Sequence, residues 1–280
     1  MKWEITNKKV LITGATSGIG RVTALTLAGL GANVTVACRD INKGRLLIEE
    51  FQMNSDKKKG TIDLLKCDLS SFTSIRLACS EFRKSNDILD ILINNAGIWN
   101  FTRKVSKDNI EETFAVNFLA PYLITNEMIE IMGHSDEARI LFTASGLHQG
   151  EISFDDIEFK KSFSGFKAYR QSKLAIILFT RKLANDLKNT NICTFSIHPG
   201  MVNTDLGRDA GFFSGLVFKL MGLPVEKGAV TLIFAATDND VSKYSGEYFY
   251  LKKVKESSAE SYNMASAKKL CAIADVYLGE

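Results

Sequence analysis

Lys9-Val10-Leu11-Ile12-Thr13-Gly14-Ala15-Thr16-Ser17-Gly18-Ile19-Gly20 is the stretch that decides the fold. An apolar, β-branched run ends in a glycine-punctuated turn, and residues 19–30 then take up helical period, so a buried strand feeds a helix through a tight loop. The alternation recurs. Strand-like runs follow at 33–38, 61–66, 89–94, 138–143, 191–196 and 246–250, about seven strands in all. Near-continuous apolar strands separated by segments long enough for crossover helices predict a parallel sheet covered on both faces. The fold class is therefore α/β, doubly wound. No repeat, low-complexity tract or compositional break divides residues 1–280, so a single domain is expected, with Lys57-Lys58-Lys59-Gly60 as a solvated turn.

Composition narrows the function classes. With 45% hydrophobic and 24% charged residues and three prolines, disordered, collagen-like and proline-rich linker proteins are excluded. The net charge of +3, from 35 basic and 32 acidic residues, is too small an excess to imply a nucleic-acid partner or an anionic membrane surface. Cys38, Cys67, Cys79, Cys193 and Cys271 form no CxxC pair, so neither a disulfide framework nor a zinc knuckle is indicated and a reducing compartment is favoured. Residues 1–9 lack the apolar core of a signal peptide, and the run 215–223, interrupted by Lys219, falls well short of the roughly twenty residues that cross a bilayer. A soluble, cytoplasmic protein without a transmembrane anchor is the expectation.

The loop at 13–20, TGATSGIG, stands where a Rossmann-type fold meets a dinucleotide. Gly14, Gly18 and Gly20 permit close approach, and the amides of Thr16, Ser17 and Ile19 with the helix N-terminus can meet a pyrophosphate. Glycine also serves tight strand-to-helix turns for conformational reasons alone. The spacing is GxxxGxG and no Gly-Lys-Ser/Thr follows, which disfavours a nucleotide triphosphatase. The second strand ends in Cys38-Arg39-Asp40. Where an acidic residue would bind the ribose of NAD, the Arg39 guanidinium suits the extra phosphate of NADP, so NADP(H) is the expected cofactor. A solvated Arg39 paired with Asp40 is the competing reading. Asp68, in Cys67-Asp68-Leu69, either accepts from an adenine amino group or caps the helix before Ser70 and Ser71.

Tyr169-Arg170-Gln171-Ser172-Lys173 places a tyrosine and a lysine on one helix face. A phenol of pKa near 10 is a poor base, but neighbouring positive charge lowers that value and lets Tyr169 shuttle a proton. The spacing alone also occurs by chance. Ser145 lies upstream at a strand end, and Asn94-Asn95-Ala96-Gly97 ends the fourth strand.

In order and spacing, TGATSGIG, Cys67-Asp68-Leu69, Asn94-Asn95-Ala96-Gly97, Ser145, the Tyr169–Lys173 segment and His198-Pro199-Gly200 make the chain resemble the short-chain dehydrogenase/reductase family over essentially its whole length. Segments 37–40, 89–97, 169–184, 198–206 and 245–249 are most similar to its retinol-dehydrogenase-like branch. The resemblance implies that Tyr169 is the general acid/base, that Lys173 lowers its pKa and holds the nicotinamide ribose, and that Ser145 hydrogen-bonds the substrate carbonyl oxygen. Asn117 is implied to hold a water relay to the lysine; a buried helix-packing amide is the alternative. Pro199 and Gly200 would set the turn beneath the nicotinamide, Val202 and Thr204 would bind its carboxamide, and Leu69, Asn95, Ala96 and Gly97 would line the cofactor. No metal is implied.

The activity implied is hydride transfer between NADPH and a carbonyl or the corresponding alcohol. Two other readings are a nucleotide-sugar epimerase or dehydratase, which length and glycine spacing oppose, and a non-catalytic NADP-binding regulatory module, which would not need the full relay. The chain departs from the branch in carrying Leu119-Ala120-Pro121 after the helix asparagine in place of glycine and histidine, and Ala144 in place of a second serine. The N-terminal membrane anchor of many animal retinol dehydrogenases is not seen either.

Among the remaining candidates, His148 is expected to line the substrate mouth, His134 sits in a polar turn and His198 belongs to the proline-glycine turn; no two are spaced as metal ligands. Trp99, Phe101, Phe163 and Phe166 flank the site and serve either an apolar pocket or the core. Residues 205–223, with Phe212, Phe213, Leu216, Val217, Phe218 and Met221, fall where the family carries a substrate lid. So many apolar groups point to a hydrophobic aldehyde, ketone or alcohol as substrate, and a homodimer contact explains them equally well.

Overall fold

Eight strands form one sheet in the order β3-β2-β1-β4-β5-β6-β7-β8 in a computed structural model that describes residues 3–54, 60–202 and 223–279. They are β1 (Lys9–Thr13), β2 (Asn33–Cys38), β3 (Thr61–Lys66), β4 (Ile91–Asn94), β5 (Ala138–Thr143), β6 (Ile192–His198), β7 (Tyr248–Tyr250) and β8 (Lys253–Val254). The first seven pair in parallel; β7 and β8 meet antiparallel. β8 is one strand more than the sequence pattern predicts. It has two exposed residues and no apolar run, and it exists because Leu251 and Lys252 turn the chain at φ 49° and 63°. The solvated turn expected at 57–59 lies outside the described residues.

Helices α1 (Gly18–Gly29), α2 (Ile41–Asn54), α3 (Phe72–Ser85), α4 (Glu112–Phe114), α5 (Ala120–Met132), α6 (Gly165–Asp186), α7 (Val225–Thr237) and α8 (Met264–Leu278) cover the sheet. Each central strand is apolar throughout because it feeds both layers. Val10 and Ile12 of β1 join Leu27, Val34 and Leu232 on one face, whereas Leu11 joins Ile75, Phe118 and Leu123 on the other. Burying each such side chain contributes about 1.5–3 kcal/mol. The order reverses at β1, which pairs with β2 on one side and β4 on the other. A crevice therefore opens beyond the carboxyl ends of β1 and β4, and the loops that follow them meet there.

At the opposite edge, Trp3 donates its indole N–H to Ala236 O at 2.9 Å. The Arg139 guanidinium lies 3.8 Å from the Trp3 ring centroid. Arg139 is fully buried, and Glu137 Oε1 accepts from its Nη2 and Nε at 2.7 and 2.9 Å.

Between β4 and β5 the helix is broken in a defined way. Buried Glu111 caps α4 by accepting from the amides of Thr113 and Phe114 at 2.9 and 2.7 Å. Residues Ala115–Leu119 then form a π turn before α5 begins. Pro121 supplies a cause: an α-helix would give the Asn117 carbonyl the N–H of residue 121, and proline has none.

Candidate active site

The β1–α1 loop is shaped for close approach by another group. Gly14 sits at φ 66°, and a Cβ there would come within 2.7 Å of the Ala96 Cα, so only glycine fits. Gly18 is also left-handed, at φ 55°. Ser17 precedes α1 with no side-chain cap and the first turn holds no acidic residue, leaving that helix N-terminus open to an anion. Thr16 is half-buried, Ser17 exposed, and Ile19 and Gly20 buried. This donor set fits a dinucleotide pyrophosphate.

The Thr13 hydroxyl locks the neighbouring strand end by accepting from the amides of Asn95 and Ala96, both at 3.1 Å. Asn95 spends its side chain on the protein: Nδ2 donates to the carbonyls of Thr13 and Gly14 at 3.2 and 3.0 Å, and Oδ1 accepts from Thr143 at 3.3 Å. Ala96 and Gly97 continue half-buried along the crevice.

Asn117, Ser145, Tyr169 and Lys173 come together beside that loop. Tyr169 and Lys173 lie one turn apart on the buried face of α6, with the ammonium 5.6 Å from the phenol ring centroid. Lys173 donates to Thr143 O at 2.8 Å, and burial draws its pKa down from 10.5 to about 8. Burial pushes the Tyr169 phenol up to about 12 against an opposing side-chain hydrogen bond with Ser145, so it carries its proton at neutral pH. The Ser145 Oγ accepts from the Leu147 amide at 3.1 Å. Asn117 exchanges two hydrogen bonds with the Ile98 backbone, at 2.8 and 2.9 Å, and donates to Ser172 Oγ at 3.0 Å. Its side chain thus acts as a packing amide; its backbone carbonyl is the group Pro121 leaves without an α-helical donor.

An aromatic wall flanks Tyr169. Trp99 stacks between Tyr169 and Phe101, with Phe166 tilted alongside at 6.2 Å. Phe101 and Phe166 are exposed and Phe163 is half-buried.

At the far end, Arg39 is exposed at the end of β2 and makes no ion pair with another described residue. Asp40 does not pair with it: its Oδ1 accepts from the amides of Asn42 and Lys43 at the start of α2, at 3.0 and 3.3 Å. Asp68 accepts from Ser70 Oγ and Lys107 Nζ, each at 2.8 Å. Burial raises its pKa, but hydrogen bonds from Lys107 and Ser70 outweigh that and hold the carboxyl below its ordinary value. Ser71, not Asp68, caps α3, accepting from the Ser74 amide. Leu69 packs half-buried against the core. Pro199 and Gly200 form the turn after β6, with Gly200 at φ 90°, and Val202 is buried. Thr204 and the expected lid up to residue 222 lie outside the described residues.

His148 does not line the mouth. It is 4% exposed, with ring bonds to Ser145 O and the Ser258 amide, because the chain folds back over it after β8. Sequence reasoning also missed the supporting roles of Thr13, Glu111, Thr143 and Tyr248. Among the described residues no group of three or more His, Cys, Asp and Glu side chains could hold a metal, and no helix is long and apolar enough to cross a membrane.

Comparison with known proteins defines the class. The short chain dehydrogenase family model matches residues 8–211. Retinol dehydrogenase 14 of Mus musculus is 37% identical over 288 residues, covering 97% of this chain and 86% of that protein. Retinol dehydrogenase 12 of Homo sapiens is 35% identical, covering 99% and 88%. An uncharacterized protein of Mycobacterium Paratuberculosis has the same fold, with a TM-score of 0.79 and 26% identity over 100% of this chain and 98% of that one. A short chain dehydrogenase of Burkholderia cenocepacia, solved in complex with NADP, superposes with a TM-score of 0.69 at 23% identity, covering 88% and 97%. The molecule is thus an oxidoreductase that uses a nicotinamide cofactor and a small-molecule substrate. It belongs to the short-chain dehydrogenase/reductase family, in its retinol-dehydrogenase-like branch.

Proposed function

We propose that the chain transfers hydride between NADPH and a lipophilic, retinoid-like aldehyde or ketone, or works from the corresponding alcohol. The observation that carries this reading is the buried, protonated Tyr169 beside Ser145 and Lys173 at the mouth of an open phosphate-type loop. The bound cofactor supplies hydride to the carbonyl carbon. Ser145 then donates to the carbonyl oxygen, Tyr169 gives that oxygen its proton, and Lys173 places its charge by the phenol and the cofactor ribose. Asn117 supports the relay behind Lys173 through its carbonyl. Gly14, Thr16, Ser17, Gly18, Ile19 and Gly20 cradle the pyrophosphate; Leu69, Asn95, Ala96, Gly97, Pro199, Gly200 and Val202 shape the rest of the cofactor cleft.

Two observations support the finer choices. Arg39 is exposed at the ribose end and forms no ion pair among the described residues, while Asp40 is committed to α2, which favours a 2′-phosphate. The Trp99 stack next to Tyr169, with relatives named retinol dehydrogenases, favours a conjugated apolar substrate. Asp68, held in place by Lys107 and Ser70, is the acceptor for the adenine amino group in this reading. The chain is a single domain in this reading.

The test mixes NADPH, purified protein and retinal or shorter enals while following oxidation of the nicotinamide. Turnover is expected in the parent, and Tyr169→Phe should lower it by about 10²–10⁴-fold while NADPH still binds. Near-parental turnover in that variant would remove the assignment of the acid.

A further inference from the structure

The backbone of Ser145 is held in a way that its own hydroxyl chemistry does not require. Its carbonyl oxygen accepts two hydrogen bonds, from His148 Nδ1 at 2.7 Å and from the Tyr248 hydroxyl at 3.0 Å. The histidine tautomer follows from its other contact. The Ser258 amide donates to Nε2 at 3.0 Å, so that nitrogen carries no proton and Nδ1–H is the donor to Ser145. Ser258 Oγ returns a bond to the His148 carbonyl at 3.2 Å, closing the loop around the ring. Burial keeps His148 below its ordinary pKa and therefore neutral.

A carbonyl oxygen offers two lone pairs, and here both are filled by donors from separate parts of the chain. The peptide is confined on its face as well. A Cβ at residue 146 would come within 2.9 Å of His198 Nε2, so Gly146 lets the 145–146 peptide rest on that ring. His198 in turn stacks on Tyr250 at 4.7 Å and runs parallel to Tyr248 at 6.3 Å.

A buried histidine with both nitrogens satisfied usually means packing alone. The geometry points further, because His148 and Tyr248 converge on the one peptide whose orientation aims the Ser145 hydroxyl. We propose that His148 and Tyr248 are positioning residues that hold the Ser145 hydroxyl on the substrate oxygen, so that turnover depends on the Nδ1–H donor and on the Tyr248 hydroxyl. This inference rests on the reading of Ser145 given above. Neither residue touches the reacting atoms; a small misplacement of a group that does can cost up to about 100-fold in rate.

Two amide substitutions separate positioning from packing. His148→Asn puts an N–H near the Nδ1 position and keeps the bond to Ser145 while giving up the acceptor for Ser258. His148→Gln reaches the Nε2 position and keeps the tie to Ser258 while giving up Ser145. At saturating NADPH with a turned-over enal, kcat should stay within about threefold of the parent in His148→Asn and fall by about tenfold or more in His148→Gln, with NADPH affinity unchanged in both. Tyr248→Phe, which removes a single oxygen, should lower kcat more than it raises KM. His148→Gln combined with Tyr248→Phe should cost less than the product of the two singles, since both act on one peptide. Equal kcat for the Asn and Gln variants, or an unchanged kcat in Tyr248→Phe, would overturn the proposal. Parental turnover in Ser145→Ala would instead overturn the reading of the site beneath it.

Discussion

The indole of Trp99 lies flat on the ring of Tyr169, with centroids 4.5 Å apart and planes 11° apart. Phe101 continues the stack at 5.4 Å and 14°. With both indole faces covered, the edge of this stack is the apolar surface that a conjugated tail would meet beside Tyr169. Trp99→Ala should raise KM for retinal about tenfold, from the lost ring pairing and buried area, and leave NADPH affinity unchanged. Trp99→Phe should recover most of the loss. An unchanged KM in the alanine variant would detach the stack from substrate recognition.

In the proposed reading Arg39 carries the preference for NADPH. Charge-assisted hydrogen bonds contribute about 1.5–3 kcal/mol, so Arg39→Ala should weaken NADPH about tenfold to a hundredfold with little effect on NADH. Fluorescence titration of both nucleotides reads this out. Equal affinities in the parent would end the case for NADP.

Lys173 gives a pH signature of the cofactor-free protein. Its pKa is about 8 when folded and 10.5 ordinarily, so between those values the unfolded chain holds more protons and stability rises with pH. Burying this lysine costs ~3 kcal/mol of stability below that window, where it is charged, and nothing above it, where it is neutral folded or unfolded. Lys173→Met should therefore gain stability relative to the parent at pH near 7, with the gap closing as pH climbs through that window. Urea midpoints across the window test this; a gap that stays constant would mean the lysine stays charged.

Glu137 should matter far from the site. Arg139 is fully buried and Glu137 is its carboxylate partner, so Glu137→Gln leaves a buried charge unpaired at a cost of about 3 kcal/mol. A lower urea midpoint at constant slope is expected. A change below about 0.5 kcal/mol would show that stacking on Trp3 is sufficient.

The central strands were legible because a strand buried on both faces must be apolar throughout, as Val10, Leu11 and Ile12 are. Strand β8 was not, because Lys253 and Val254 are exposed and owe their pairing to a turn. The grouping of Tyr169, Lys173 and Ser145 was legible through the motifs that carry the family resemblance. Their supports are ordinary residues joined across the chain, such as Thr13 to Asn95 or Tyr248 to Ser145, and single-sequence patterns do not encode such pairings. His148 shows the limit in the other direction: closeness in sequence to Ser145 said nothing of the segment around Ser258 that covers it.

The chain holds two tryptophans, and their placement makes them independent optical reporters. Trp99, stacked on Tyr169, should be quenched or shifted by ligands at the proposed substrate mouth. Trp3, clamped between the Ala236 carbonyl and Arg139 beyond the amino ends of the strands, should stay silent to ligand and shift red only when the sheet itself comes apart. A single emission spectrum, resolved with Trp3→Phe and Trp99→Phe, thus separates occupancy of the mouth from loss of the fold in one sample.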